Sequence, residues 1–180
     1  MLEYTEKELI EGCLSNNRKC QHAFYSKFSM KMYGVCLRYA KDEDEAKDIL
    51  QEAFIKIFKS LQDFKGNGSL EGWVRRTIIN TSINYYRKNL KFSNNVDLEY
   101  AESYESHTDD ALSEITTKEV QEVISDLPDG YRMVFNLNAV EGYTHKEIGE
   151  MLDISENTSK SQLSRARNVL KNRMEELYAI

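Results

Sequence analysis

The fold is decided by the segment Tyr143-Thr-His-Lys-Glu-Ile-Gly-Glu-Met-Leu-Asp-Ile-Ser-Glu-Asn-Thr-Ser-Lys-Ser-Gln-Leu-Ser-Arg-Ala-Arg167, which predicts a short helix, a tight turn and a second, basic helix. Thr144 and Glu147 have the spacing of a capping box, so the first helix is expected to begin there. Gly149 has no side chain to hold the two helices apart. Asp153 tolerates the left-handed backbone of a turn. This pattern is a helix-turn-helix.

The second helix of this motif, with Ser155 as its N-cap, is predicted to run to about Leu177 and to have two faces. One face of its helical wheel is apolar and carries Leu163, Ala166, Leu170, Met174 and Leu177. The opposite face is rich in donors and carries Lys160, Ser161, Ser164, Arg165, Asn168 and Lys171. Such donors can bind phosphates and base edges, so this face favours duplex DNA. The alternative is an ordinary amphipathic helix with a solvated face.

Acidic and basic residues are unevenly distributed along the 180-residue chain. Its formal net charge of −6 and pI near 5.2 would ordinarily argue against binding to nucleic acid. Residues 97–114, however, contain seven acids and no Lys or Arg, whereas residues 65–91 contain six basic residues and one acid. The acidic net charge therefore does not exclude a DNA-binding surface.

The composition predicts an all-α protein of two small domains. The chain has one proline and eight glycines and lacks the two-residue alternation of strands. Helices are expected over about 5–14, 19–40, 42–61 and 70–89, and again from about 110 to 127 and 131 to 140. We assign residues 1–91 to the first domain, 92–109 to a flexible acidic linker and 110–180 to the second domain.

Several functional classes find no support in the sequence. The N-terminus is charged and no stretch is apolar enough to span a membrane, so we expect a cytoplasmic protein without membrane insertion. Cys20 and His22 raise the possibility of a zinc site, but buried reduced thiols at Cys13, Cys20 and Cys36 are the simpler interpretation. The acids of residues 42–45 begin a helix, where the helix dipole explains them without a metal. We expect no cofactor.

The third helix has a second stripe beside its core face. Ala46, Ile49, Leu50, Ala53, Ile57 and Leu61 form the core face. Asp48, Gln51, Ile55 and Phe58 follow at spacings of three, four and three on another side. Mixed apolar and polar groups in such a stripe favour a partner protein. The alternative is that another helix of the same domain covers the stripe.

The fourth helix also has two faces. Val74, Ile78, Thr81 and Tyr85 share one side, and the other carries an aromatic, amides and cations, namely Trp73, Arg76, Thr77, Asn80, Asn84, Arg87 and Lys88. An aromatic ring can stack on a base, amides can read base edges and cations can hold phosphates. This side therefore suits a DNA strand with unstacked bases. Trp73 could equally belong to the core.

Together these residues resemble the sigma-70 superfamily of RNA polymerase sigma factors, in its compact extracytoplasmic-function (ECF) group. The segment Asp48-Ile-Leu-Gln-Glu-Ala-Phe54 is similar to region 2.2, which docks on a coiled coil of the polymerase β′ subunit. Residues 64–76, Asn80 and residues 86–88 are similar to regions 2.3 and 2.4, which open and read the minus-ten element. Residues 127–167 are similar to region 4, which reads the minus-thirty-five element and touches the β flap.

The resemblance implies three sets of site residues. Core polymerase would be bound by Asp48, Gln51, Glu52, Phe54, Ile55 and Phe58. The minus-ten element would be bound by Lys65, Asn67, Ser69, Trp73, Arg76, Thr77, Asn80, Asn84, Arg87 and Lys88. The minus-thirty-five element would be bound by Asn157, Thr158, Lys160, Ser161, Ser164 and Arg165. The implied partners are core RNA polymerase, promoter DNA and a separate anti-sigma factor, and the implied protein is not an enzyme.

Four positions depart from the family pattern. Asp153 stands at the usual turn glycine, Asn157 at another glycine and Gly149 at the usual alanine. Asn and Asp both tolerate a left-handed backbone, so positions 153 and 157 are expected to preserve the turn. Asn84 stands where aspartate is frequent, and an amide in place of an acceptor-only carboxylate is expected to alter promoter preference.

Two other functions compete with a sigma factor. A conventional helix-turn-helix regulator with an N-terminal effector or dimerisation domain would leave the stripe on the third helix and the Trp73 face unexplained. An enzyme that uses the carboxylates of residues 42–52 with a divalent metal would require a metal cluster that the pattern does not otherwise indicate.

Overall fold

Every regular element of the described chain is helical, which confirms the predicted all-α fold. The computed structural model describes residues 4–93 and 117–178. The helices in these ranges are α1 Glu6–Leu14, α2 Arg18–Tyr39, α3 Glu43–Ser60, α4 Leu70–Ser93, α5 Thr117–Ser125, α6 Asp129–Phe135, α7 His145–Leu152 and α8 Glu156–Tyr178. A 3₁₀ turn, Leu61–Asp63, follows α3, and a π-helical turn, Asn136–Val140, follows α6. The chain divides into two compact units, Met1–Tyr85 and Tyr86–Ile180.

Two predicted helix boundaries are wrong. Helix α4 continues to Ser93 instead of ending near Asn89, because no glycine or proline interrupts it. The predicted end was placed where the composition changes, and that change does not stop a helix. The predicted linker, 92–109, therefore begins inside a helix, and its remainder lies outside the described residues. The helix predicted over 131–140 instead starts at Asp129 and passes into the π-helical turn at Asn136. The side-chain amide of Asn136 donates to the Arg132 carbonyl at 3.0 Å.

Side chains at the helix starts fix the beginnings of the first three helices. Thr5 and Glu8 form the predicted capping box at α1. Asn17 Oδ1 accepts from the Lys19 N–H at 2.9 Å and caps α2. Asp42 Oδ1 accepts from the Glu45 N–H at 2.8 Å and caps α3. Part of the acidic cluster that opens α3 is thus used in capping, as its position at a helix start predicts.

The core of the first unit lies between α2, α3 and α4. Helix α2 packs against both α1 and α3. The buried side chains include Phe24, Met32, Val35, Ala46, Ile49, Ile57, Val74 and Ile78. Helix α4 buries more than its predicted stripe, since Ile79 and Ile83 are also buried. A helix with so broad a buried surface is central to its unit.

The three cysteines are buried, as predicted. Burial raises the pKa of the Cys13 thiol to about 11 and that of Cys36 to about 12, so both stay protonated at neutral pH. Cys20 lies where α1 and α2 approach closely, and a Cβ on Gly12 would collide with its side chain. Among residues 4–93 and 117–178, no group of three or more His, Cys, Asp or Glu side chains is placed to hold a metal ion.

In the second unit, α5, α6 and α7 each pack against α8. Val123, Leu127, Met133, Val134, Leu137, Ile148, Leu152, Leu163 and Ala166 are buried there. Arg132 is 4% exposed and ties the end of α5 to the start of α6. Its guanidinium donates to the carbonyls of Ser125 and Leu127 at 3.0 and 3.1 Å and pairs with Asp129 at 2.6 Å. Burial of this cation is offset by these contacts.

None of the helices in the described ranges has the length and apolarity needed to cross a lipid bilayer.

Candidate functional site

The helix-turn-helix has the geometry that its sequence predicts. The Thr144 N–H and hydroxyl donate to Glu147 Oε2 at 2.8 and 2.7 Å, and the Glu147 N–H donates back to Thr144 Oγ1 at 3.3 Å. Asp153 ends α7 with φ 60°, in the left-handed region. A Cβ on Gly149 would lie 2.8 Å from the carbonyl oxygen of Ile154, so the glycine permits the close turn. These predictions are confirmed.

Asn157 lies outside the turn that it is expected to preserve. The turn is present, with Asp153 in the left-handed region, and Asn157 lies in the first turn of α8. Among the described non-glycine residues, positive φ occurs at Asp153 and at Asn16, which ends the turn after α1. Asn157 is exposed at the start of α8 and does not shape the turn. The signal for Asn16 was the polar run of residues 15–17 after an amphipathic segment.

Helix α8 has the predicted division into two faces over most of its length. The Ser155 hydroxyl accepts from the Thr158 N–H at 2.9 Å and caps the helix. Exposed side chains on the outer face are those of Lys160, Ser161, Ser164, Arg165, Asn168 and Lys171, and Thr158 is half-buried. Leu163 and Ala166 are buried, but Leu177 is 53% exposed, contrary to its predicted place on the packed face. With 23 residues, α8 spans about 34 Å. It is much longer than α6 and α7, which have seven and eight residues.

The cations on the outer face of α8 differ in their local partners. Lys160 pairs with Glu156 at 2.6 Å, and its hydrogen bond and charge hold the pKa of the Glu156 carboxyl below its ordinary value. Lys171 lies 3.6 Å from Glu175. Arg165 is exposed and has no ion-pair partner among the residues that the structure describes. The Arg165 guanidinium can therefore bind an anion without first breaking an ion pair.

The predicted strand-binding face lies along α4. Arg76, Asn80, Asn84 and Lys88 are exposed, whereas Trp73, Thr77 and Arg87 are half-buried. The Trp73 ring lies 5.8 Å from the Phe64 ring at an interplanar angle of 56°, so part of its surface packs and part stays open. The Thr77 hydroxyl donates to the Trp73 carbonyl at 3.1 Å. Thr77 is thus turned toward its own helix, and the polar atoms of the exposed residues form the face.

The loop before α4 presents its residues to solvent. Lys65, Asn67 and Ser69 are exposed, and Gly66 and Gly68 have φ of 74° and 94°, a region that favours glycine. The Ser69 hydroxyl accepts from the Gly72 N–H at 3.0 Å and caps α4. Leu70 is fully buried, so the loop is anchored where the helix begins. This cap occupies one of the two lone pairs of the Ser69 hydroxyl oxygen.

A groove lies between α2 and α3 on the first unit. It encloses about 490 Å³ and is lined by Tyr25, Lys47, Leu50, Gln51, Phe54, Ile55 and Phe58. Ile55 is 49% exposed at its rim, and Tyr25, from α2, is 43% exposed. Asp48 is exposed beside the groove on the same helix. The predicted stripe is therefore accessible, and no other helix of the described unit covers Ile55.

Two aromatic residues of the predicted polymerase-binding set belong partly to the core. Phe54 is only 4% exposed, and its ring lies 4.7 Å from that of Tyr25. Phe58 is half-buried, with its ring 5.5 Å from that of Phe24. Both line the groove, but they are less exposed than Ile55 because their rings pack against those of Tyr25 and Phe24. We therefore describe them as its floor and Ile55 as its rim. The sequence analysis did not identify Tyr25 as a groove residue. The available signal was an aromatic residue directly after the core residue Phe24.

Glu52 has internal partners. It pairs with Lys56 at 2.6 Å. Partial burial, followed by the charges of Glu52 and Asp48, raises the pKa of Tyr85 in α4. The Glu52 carboxylate is thus already paired within α3.

Comparison with known proteins identifies both units. The family model described as sigma-70 region 2 matches residues 24–91, and the model described as sigma-70, region 4 matches residues 117–170. The chain is 27% identical to the ECF RNA polymerase sigma-E factor of Haemophilus influenzae, over 97% of this chain and 98% of that protein. It is 29% identical to the protein of the same name in Escherichia coli K12, with 97% of each chain covered.

Two further matches have the same character. The RNA polymerase sigma-H factor of Pseudomonas aeruginosa is 28% identical over 96% of this chain and 95% of its own length. Among solved structures, the sigma factor RpoE in complex with the anti-sigma factor NepR from Bartonella quintana has a TM-score of 0.52 and 19% identity. That match covers 88% of this chain and 96% of the other, and it supports the fold alone.

The capping box of α7 predicts a pH effect. The Thr144 N–H, followed by its hydroxyl, lowers the pKa of the Glu147 carboxyl below its ordinary value of 4.5, so this stabilisation is present above that pH and is lost as pH falls below it. Thr144→Ala removes the hydroxyl and keeps the N–H. We expect it to raise the Glu147 pKa part of the way toward its ordinary value and to lower the melting temperature at pH 7 more than in acid. NMR titration of the carboxyl carbons and melting curves would measure both effects.

The equivalent box at α1 is an internal control. The pKa of Glu8 is lowered by Thr5 in the same way. In the Thr144→Ala protein, the Glu8 pKa should keep its wild-type value. A Glu147 pKa that stays as low as that of Glu8 would contradict the role given to the Thr144 hydroxyl.

Proposed function

The chain belongs to the ECF group of the sigma-70 superfamily and directs promoter-specific initiation of transcription, and on this premise we propose which of its surfaces do the work. The first domain, residues 1–91, would join core RNA polymerase and capture the minus-ten element. The second, residues 110–180, would bind the minus-thirty-five element. A conventional helix-turn-helix regulator is not favoured, because it would not account for the region 2 match over residues 24–91.

The outer face of α8 is the proposed reader of the minus-thirty-five duplex. Its residues Asn157, Thr158, Lys160, Ser161, Ser164 and Arg165 lie on the first three turns of a helix whose opposite face is buried. Recognition helices commonly place their N-terminal turns deepest in the major groove. The observation that carries this assignment is the exposed Arg165 guanidinium among short polar side chains. It can bind guanine in bidentate fashion or hold a phosphate.

The minus-ten element is assigned to α4 and the loop before it. Exposed Arg76 and Lys88 would hold phosphates, while Asn80 and Asn84 would read base edges. The open surface of Trp73 would stack on the edge of the separated strands. The loop of Lys65, Asn67 and Ser69 would receive an everted base. Strand separation would then draw on binding energy without nucleotide hydrolysis.

The groove of the first unit is the proposed docking site for core polymerase, through the β′ coiled coil. Ile55 would enter the interface from the rim, over the aromatic floor of Phe54 and Phe58. Exposed Asp48 and Gln51 would orient the partner by charge and hydrogen bonds. A small apolar centre with a polar border is the usual anatomy of a protein interface.

Family membership supports the remaining partners. We propose that the second unit touches the β flap and that a separate anti-sigma protein regulates the factor. RNA synthesis itself is the chemistry of the polymerase, so we assign no catalytic residue to this chain. Because it acts on polymerase and promoter DNA, we expect it to work in the cytoplasm.

Run-off transcription tests the proposed function directly. Purified bacterial core polymerase would be given pooled genomic promoter fragments with and without the full-length protein. We expect discrete new transcripts whose start sites share a minus-ten and a minus-thirty-five element. Absence of new transcripts despite retained binding to duplex DNA would instead indicate a conventional regulator.

The groove assignment predicts the effect of one exposed side chain. Ile55→Ala should weaken binding to core polymerase about tenfold, because it removes a partly exposed apolar anchor without opening the core. Fluorescence titration of labelled protein with core polymerase would measure the affinity. Phe58 is unsuited to this test because its ring packs on Phe24.

The matched control is Met30→Ala, since Met30 is 87% exposed on α2 and does not line the groove. Its affinity should equal that of the wild type. Equal affinities for Ile55→Ala and Met30→Ala would remove the docking assignment.

The α8 assignment predicts a change in salt dependence. Arg165→Ala should lower affinity for a minus-thirty-five duplex about tenfold and reduce the slope of log affinity against log salt by about one, because one counterion fewer is released. Titrations of the full chain at several salt concentrations would give the slope. Arg18→Ala, an exposed arginine at the start of α2, is the control, and a slope matching this control would move Arg165 off the DNA.

A further inference from the structure

A hydrogen bond between side chains crosses the seam where α7 packs on α8. His145, the first residue of α7, places Nδ1 2.9 Å from the hydroxyl oxygen of Ser159 in α8. Ser159 is 0% exposed, whereas His145 is half-buried. The contact lies beside the ion pair of Glu156 and Lys160, since Ser159 directly precedes Lys160 in α8. It therefore joins the start of α7 to the first turns of the DNA-facing helix.

Ser159 is an unusual residue for its position. One turn and two turns later on the same side of α8 lie Leu163 and Ala166, both buried. A buried hydroxyl without a partner costs free energy. A helical serine can find one in the carbonyl four residues back, as the buried Ser82 does with Ile78, but Ser159 instead bonds across to α7. The His145 imidazole is its partner there. It can donate or accept in its neutral form, depending on which ring nitrogen carries the proton.

The bond differs in kind from the contacts around it. Ile148, Leu152, Leu163 and Ala166 make the seam otherwise apolar, and apolar contacts have little preference for direction. A hydrogen bond is directional, so it resists rotation of α8 about its own axis. Rotation by about 20° would move a side chain at the helix surface by about 2 Å. Such a shift is large against the tolerance of a hydrogen bond to a base edge.

Ser159 lies between Thr158 and Lys160 in the chain, next to the proposed base-reading set. We propose that His145 and Ser159 are a positioning pair that sets the rotation of α8 and so determines how strictly the protein discriminates among minus-thirty-five sequences. The pair does not touch DNA in this role. It acts through the placement of Thr158, Lys160 and Ser161. The inference rests on the proposed function of α8.

The test is the discrimination of the polymerase holoenzyme between two DNAs. One is a promoter recovered by run-off transcription with this protein, and the other is the same promoter with its minus-thirty-five element scrambled. The ratio of transcript yields is measured with full-length variants, together with the melting temperature of each free protein. We expect His145→Phe and Ser159→Ala each to lower the ratio about threefold to tenfold, the range for loss of one buried polar contact.

Two further variants separate the bond from simple loss of packing. His145→Asn should retain most of the ratio, because its amide nitrogen lies close to the position of Nδ1. The double variant His145→Phe with Ser159→Ala should be no worse than either single variant, because both remove the same bond. His22→Phe, an exposed histidine in the other unit, is the control and should leave the ratio unchanged.

The outcomes distinguish the two levels of the proposal. A wild-type ratio near one would remove the minus-thirty-five assignment of α8, and this inference with it. A wild-type protein that discriminates, with a His145→Phe protein that discriminates equally, would overturn the positioning role alone. Lower melting temperatures at an unchanged ratio would give the pair a role in stability only, and that result would also overturn the proposal.

Discussion

The second unit depends on the packing of three short helices against the inner face of α8. Helices α5, α6 and α7 all rest on it, so the residues that build the core of this unit also fix where the outer face points. Helices as short as α6 and α7 would be marginal alone in water. Because α8 is the scaffold of the unit and also carries its exposed polar face, folding of the unit and presentation of that face are the same event.

In the first unit, α3 resembles α8 in having one face buried in the core and another face exposed. In α3, Ile49 and Ile57 are fully packed while Ile55, on another side, is half exposed. Phe54 and Phe58 belong to both environments, since Phe54 is itself buried, the Phe58 ring contacts the core residue Phe24, and both line the groove. A partner seated in this groove would therefore rest on the core itself. Such a surface is stiff, which lowers the entropy that binding must overcome.

Local chemistry made much of this fold predictable from the sequence. The capping boxes at Thr5 and Thr144 and the left-handed turn at Asp153 depend on neighbouring residues, and each was predicted correctly. The misses involve longer distances. Leu177 has the right periodicity, yet it is 53% exposed among the described residues, and Phe54 is adjacent to an exposed residue but is buried. The contact of His145 with Ser159 spans fourteen residues, and neither residue alone signals it.

The ion pair between Glu156 and Lys160 has a consequence for how binding free energy is distributed along α8. A phosphate that takes the Lys160 ammonium must displace a carboxylate already 2.6 Å away, so the protein carries its own competitor for that contact. If α8 binds the duplex as proposed, the displaced acid would lie near the DNA backbone and repel it. Arg165 has no such ion-pair partner among the described residues, so its proposed contact would release only mobile ions. Affinity would then be concentrated on the third turn of α8, while the pair of Glu156 and Lys160 would reduce binding to arbitrary DNA.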